Sequence, residues 1–376
     1  MAAETSKSTS SAEEQARFLK NLQLLLADGE YVSTYKFALL LALKRWAIEH
    51  PLHDERIAID AADLAPYFVE LYWPQIVPFR VRPSDAAGTS QAAAPREGWP
   101  GWKGVLVQER GKQAPRVLSL ISEARRRLGS DLRKLTPQEL QRLCGAIARS
   151  IVDMPLWKLQ RVRTSDEPLH FLYRQGATKR QVRFERGVIP CLVAFAPLVE
   201  DLVRSAWLRF VIRCNGSLLP ESAELEGFLF PDGRASLDVW RPALRDVQGD
   251  QCFYCNGRLQ NAGVVDHFLP WARYPRDLGQ NFVLAHSTCN GAKSDHLAAE
   301  EHLQRWCARN TERSAELVAH FADDGLPQHW PTLWSAAWSL YSNAADAGAS
   351  GWVKSTQFAL LGPDWRRILE DHRPAA

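Results

Sequence analysis

The chain has 376 residues, 46% of them apolar, with 46 Lys and Arg against 43 Asp and Glu. That length and composition support more than one core, and so small a positive surplus does not identify a polyanionic partner. No stretch reaches the roughly 20 apolar residues of a membrane span, which excludes a helical membrane protein.

Residues 1–17, rich in Ser, Ala and Glu and without an apolar signal core, read as a disordered lead, so a non-exported, cytoplasmic protein is expected. Seven Cys, an odd number, then read as free thiols plus a metal site and not as a disulfide framework. From 18 to 215 the pattern predicts a mainly helical module for targeting or partner docking. Residues 34–49 and 62–71 place apolar side chains at helical spacing, and 84–100, rich in Ala, Ser, Gly and Pro, read as an exposed linker. A helix over 115–128 is expected to end at Gly129, with Arg125, Arg126 and Arg127 complementing its dipole. Thr136-Pro137-Gln138-Glu139 is a capping box with Pro at the first helical position, which predicts a helix to about Asp153. Residues 191–213 form another apolar helical run. His50, His53 and His170 stand alone and read as structural.

Within this module, residues 158–186 hold the longest basic run: Lys158, Arg161, Arg163, Arg174, Lys179, Arg180, Arg183 and Arg186, interleaved with Trp157, Phe171, Tyr173 and Phe184. Residues 168–174 and 181–186 alternate around Gly176-Ala177, predicting a hairpin with Arg174, Arg183 and Arg186 on one face. That face is a candidate nucleic-acid surface, or an ordinary solvated one.

Residues 237–247 read as a helix leading into the segment that carries chemistry. Cys252-x-x-Cys255 and His286-x-x-Cys289 offer four ligands for one tetrahedral Zn2+ and would pin two chain segments together; Cys307 is the alternative to His286. Between the pins, Val264-Val265 reads as a short strand ending in Asp266-His267, a hard oxygen ligand beside a general base. Asn290, expected to open a short helix, supplies a second oxygen, and such a pair suits Mg2+ or Mn2+ better than zinc. Lys293, one turn on, is the candidate for gripping a phosphate strand. His296 lies about 120° around that helix from Asn290 and reads as a phosphate contact or auxiliary ligand.

Beyond His296 a helix is expected over 297–321. Trp330, Trp334 and Trp338 then recur every four residues, a stripe that reads as core, with a stacking platform for bases as the alternative.

The order Cys-x-x-Cys, Asp266-His267, Asn281, His286-x-x-Cys289-Asn290, Lys293, His296 resembles the zinc-stapled branch of the HNH endonucleases over residues 236–300. The resemblance implies a mainly α (α+β) protein with three parts: the helical N-terminal module, a zinc-stapled ββα-metal domain over 216–300, and a helical C-terminal extension over 301–376. It implies structural zinc on Cys252, Cys255, His286 and Cys289, a catalytic Mg2+ or Mn2+ on Asp266 and Asn290, His267 as general base, and Asn281 bracing the loop that carries it. The implied activity is hydrolysis of DNA to 5′-phosphate and 3′-hydroxyl ends, with a protein partner in a restriction or antiviral defence complex. A zinc knuckle that binds DNA without cutting and a toxin-type RNase are the alternatives.

Overall fold

The computed structural model describes residues 10–52, 55–79, 106–110, 116–129, 132, 135–215, 223–231, 237–259, 261–323 and 326–374. The chain is mainly α-helical with three small antiparallel sheets and divides into two compact units, residues 1–47 with 53–231, and residues 48–52 with 232–376. The segment expected as the ββα-metal domain and the extension expected after it fall mostly within one unit.

The first unit begins with α1 (Ala12–Asp28), capped by Ser11 and Glu14, so the expected lead of residues 1–17 is helical from Ala12; residues 1–9 lie outside the described residues. Helix α2 (Tyr35–Glu49) is buried along almost its whole circumference, which makes it central. Its Lys44 ends on the buried carboxylate of Glu200, which also receives Arg204 at 2.7 Å, so the buried ammonium is compensated. Strand β1 (Ile59–Asp60) leads into α3 (Ala61–Tyr72), whose N-terminus is closed by Asp60 and Asp63. Helices α4 (Arg116–Leu128), α5 (Pro137–Asp153) and α6 (Pro155–Lys158) follow, α5 beginning on the capping box at Thr136 and Glu139. The expected linker at 84–100 and His53 lie outside the described residues.

The predicted hairpin is present as β2 (Tyr173–Gln175) and β3 (Gln181–Phe184), with β1 added on the far side of β3. Its turn requires glycine: a Cβ at Gly176 would lie 2.8 Å from the Cβ of Gln181. The apolar run that follows splits into α7 (Val188–Ala194) and α8 (Ala196–Asn215), because Pro197 cannot continue the ladder. Helix α9 (Ala223–Leu229) completes the core around Phe37, Tyr72, Trp207 and Phe230.

In the second unit the lead-in is a 3-10 turn (Leu237–Trp240) followed by α10 (Arg241–Gln248). Strand β4 (Val264–His267) pairs antiparallel with β5 (Phe282–Ala285), Asp266 facing Val283 and His267 facing Phe282, and α11 (Ser287–Lys293) follows at once. The single helix expected over 297–321 is two, α12 (Glu300–Glu312) and α13 (Ser314–Asp323), broken at Arg313. Helix α14 (Trp330–Asp346) buries Trp330 and Trp334, while Trp338 packs between Trp334 and Trp365, so the tryptophan stripe is core. The expected all-helical extension also contains a hairpin, β6 (Ser350–Lys354) with β7 (Gln357–Leu360), before α15 (Asp364–Asp371).

Candidate metal centre and adjoining polar cluster

Cys252 and Cys255 lie on a tight knuckle in which Cys252 N donates to Gly257 O (2.8 Å) and Asn256 turns the chain with φ +57°. His286 follows β5 directly and occupies the N-cap position of α11, which carries Cys289 one turn on. The four ligand atoms lie within 4.8 Å of one another, a set that can hold a metal ion such as zinc. Buried Cys307 is not among them. A backbone contact orients the His286 ring for ligation, since Nε2 donates to Arg258 O (3.0 Å) and leaves Nδ1 facing the Cys255 Sγ at 3.3 Å.

The electrostatics fit a cation. Burial works against the Cys252 thiolate, yet backbone N–H groups of Cys255, His286 and Tyr254 outweigh it and hold the pKa below the ordinary thiol value. Burial and the neighbouring Cys252 and Cys255 sulfurs push Cys289 up to about 12, because three thiolates this close repel unless a positive ion joins them.

Beside the knuckle, Asp266 and His267 sit on β4. Asp266 is buried, and its Oδ2 accepts from Tyr254 Oη at 2.6 Å and lies 3.2 Å from Lys293 Nζ. Burial, with the Asp266 charge next in weight, keeps the Tyr254 phenol well above its ordinary pKa, so it stays a donor. Lys293 is fully buried and also donates to His267 O (2.9 Å). The expectation that it grips a phosphate strand is therefore corrected: its ammonium is directed inward, where it ties α11 to β4. Asn290, expected to open the helix, is instead its fourth residue, half-buried and one turn before Lys293.

His267 keeps only 11% of its side chain exposed, held between Phe282 (4.7 Å between centroids) and Trp271 (5.2 Å). Its Nε2 meets Asp277 Oδ1 at 2.9 Å, a partner the sequence reading missed because no motif spacing marks residue 277. Asn281 is fully buried and clamps the loop after β4, with Oδ1 accepting from Leu269 N (2.8 Å) and Nδ2 donating to Leu269 O (3.0 Å). His296 is exposed and packs its ring on Phe358 of β7, 4.8 Å between centroids, an aromatic contact that the reading as phosphate contact or auxiliary ligand did not include.

The helix expected after His296 was not read as part of the site, yet α12 braces it. Its Trp306 Nε1, Arg309 and Asn310 all donate to the carbonyl of Gln280, the residue before Asn281. Arg305 and Arg309 lie over the Phe253 ring on the knuckle. Burial brings the Arg309 guanidinium down to about 10.

A family described as "Domain of unknown function (DUF8808)" matches residues 15–223. The chain belongs to this family. No curated protein and no solved structure matches it. The DUF8808 span ends before every ligand of the metal centre and covers most of the first unit, including the basic hairpin. There Arg174 and Arg183 are cross-strand neighbours and both exposed. Arg174, however, pairs with Glu185 (2.5 Å), and Arg186 lies beyond β3 and faces Glu14 at 3.7 Å, so the three arginines do not form one free strand face. No described helix is long and apolar enough to cross a membrane.

Proposed function

We propose that the second unit is a metal-dependent endonuclease of the HNH type that hydrolyses DNA phosphodiester bonds to 5′-phosphate and 3′-hydroxyl ends. The observation that carries this reading is the placement of Asp266 and His267 at the end of a strand that α11, bearing Asn290, is tied to through Lys293, directly beside a four-ligand metal centre. In this reading zinc on Cys252, Cys255, His286 and Cys289 is structural, and substitutes for a core that so short a motif cannot build. Asp266 and Asn290 offer the hard oxygens that Mg2+ or Mn2+ prefers, and the ion would supply neutralisation of the phosphate and leaving oxygen. His267, held by Asp277 through one ring nitrogen, presents the other to a water in line with phosphorus and takes its proton. Asn281 keeps the loop carrying His267 in place. DNA is then the substrate, and the DUF8808 unit would dock a partner or select the target, in restriction or antiviral defence within the cytoplasm.

A second reading, a zinc knuckle that binds DNA without cutting, is favoured by one observation: Lys293 Nζ stands 3.2 Å from Asp266 Oδ2, where a cation is wanted. Incubation of the protein with supercoiled plasmid and with RNA, in Mg2+ and in Mn2+, separates the possibilities. DNA cleavage that disappears in His267→Ala supports the endonuclease. Binding without cleavage in either metal supports the knuckle, and cleavage of RNA alone would point to a toxin-type RNase.

A further inference from the structure

The first unit contains a cleft with an unusual charge balance. A cavity of about 500 Å³ is lined by the segment Gly29–Val32 together with Arg110, Arg163 and Arg213, against one carboxylate, Glu30. Backbone pairing brings these arginines together from distant parts of the sequence. Arg163 N donates to Asp28 O (2.9 Å) on one side of the 28–33 segment, and Arg110 N donates to Val32 O (2.9 Å) on the other. Arg213 enters from the last turn of α8. Among the described residues none of the three guanidinium groups has a carboxylate partner, in contrast to Arg174, Arg180 and Arg204 of the same unit. Arg110 instead lies over the Phe210 ring at 5.4 Å, which orients its fork.

One wall is flat and fixed: Tyr31 stacks on Phe37 with centroids 4.3 Å apart and 5° between planes, and its hydroxyl donates to Leu25 O. Beneath it, the Lys36 ammonium is buried, finds no hydrogen-bond partner, and lies 5.5 Å from the Tyr31 ring centre. Burial, with Lys158 and Arg161 adding their repulsion against the pull of Glu30, brings Lys36 down to about 8. Cations gathered in a concavity repel one another and focus a positive potential on it, and an anion relieves both.

We propose that this cleft in the DUF8808 unit binds a small phosphate-bearing ligand of nucleotide size. Arginine forks match phosphate oxygens in pairs, a recognition open to guanidinium groups that no carboxylate engages; beyond the Phe210 ring, Arg110 meets only the Cys214 thiol among the described residues. The volume lies in the range of small-ligand sites, whereas a nucleic-acid backbone runs along an open surface and needs no cavity. Glu30 argues the same way, since it would repel a continuous polyphosphate strand but can accept from a sugar hydroxyl or base amine. The proposal is independent of any activity in the second unit.

The test is calorimetric titration of the full-length His267→Ala protein with inorganic pyrophosphate, with ATP and with a short DNA duplex. Saturable binding of pyrophosphate or ATP is expected, weakened on the order of 100-fold in Arg110→Ala/Arg163→Ala/Arg213→Ala. Arg163→Glu alone, on a loop and clear of α8, should give the same loss of binding with an unchanged melting temperature. Absence of binding by both phosphate probes, binding that survives these substitutions, or loss of duplex binding alone would each overturn the proposal, the last assigning the patch to nucleic acid.

Discussion

Lys293 Nζ and Asp266 Oδ2 lie 3.2 Å apart in a place closed to solvent, the ammonium fully buried and the carboxylate nearly so. Removing one member of such a pair leaves the other charged and unsolvated. Lys293→Met is expected to destabilise the second unit by about 3 kcal/mol. Urea unfolding of the zinc-loaded protein without added Mg2+ or Mn2+ measures it, and a loss below about 1 kcal/mol would show that the pair does not hold α11 to β4.

His267→Ala should lower DNA cleavage about 10²- to 10⁴-fold while zinc content and folding stay as in the parent. Asp266→Ala should be as inactive, with at best partial recovery at high Mn2+. Asp266→Ala also strands the Lys293 ammonium, so loss of zinc from either variant would mean that the two sites have been confused only where the variant melts as the parent does.

Asp277 touches the ring of His267 and no expected metal ligand. Its effect should therefore appear in the rate of the proton-transfer step and not in metal content. Asp277→Ala should cleave roughly tenfold or more slowly, and Asp277→Asn, which keeps an oxygen acceptor, should recover part of that loss. Equal rates for the parent and the alanine variant would remove Asp277 from the site.

Cys252→Ala, Cys255→Ala and Cys289→Ala are expected to give poorly soluble protein without zinc, as is removal of the ion by a strong chelator. Elemental analysis of His286→Ala is the sharper test, because the Arg258 carbonyl fixes its tautomer. Full zinc occupancy in that variant would remove His286 from the ligand set.

In a His267→Ala background, Arg174→Ala/Arg183→Ala/Arg186→Ala should lower the slope of log K against log[salt] for duplex DNA by about 0.9, the value of one phosphate contact. The reason is that Glu185 and Glu14 already engage two of the three cations. A change near three times that size would show that the ion pairs open on DNA; no change would assign the hairpin to packing or to a protein partner.

The metal ligands were legible in the sequence because two-residue spacing puts paired ligands on one turn whatever surrounds them. Likewise the cap at Thr136 and the tryptophan stripe are local patterns with a local cause. What escaped was set by contacts between distant segments. Lys293 reads as a surface cation until Asp266 and Tyr254 close over it, and Asp277 acquires meaning only from the 2.9 Å to His267. The β6–β7 hairpin was hidden because its turn, with Ser355 at φ +47°, carries none of the Gly or Asn that usually mark such turns.

The carbonyl of Gln280 receives three donors from α12, and the face of Phe253 is roofed by two arginines of the same helix. A fragment cut where the recognisable motif stops, near residue 300, would strand that carbonyl and bare that ring. The motif is therefore not a cassette that can be lifted out: the compact unit that holds it takes in residues 48–52 as well as 232–376, and any transfer of the motif into another scaffold would have to bring that segment and the helices that roof it.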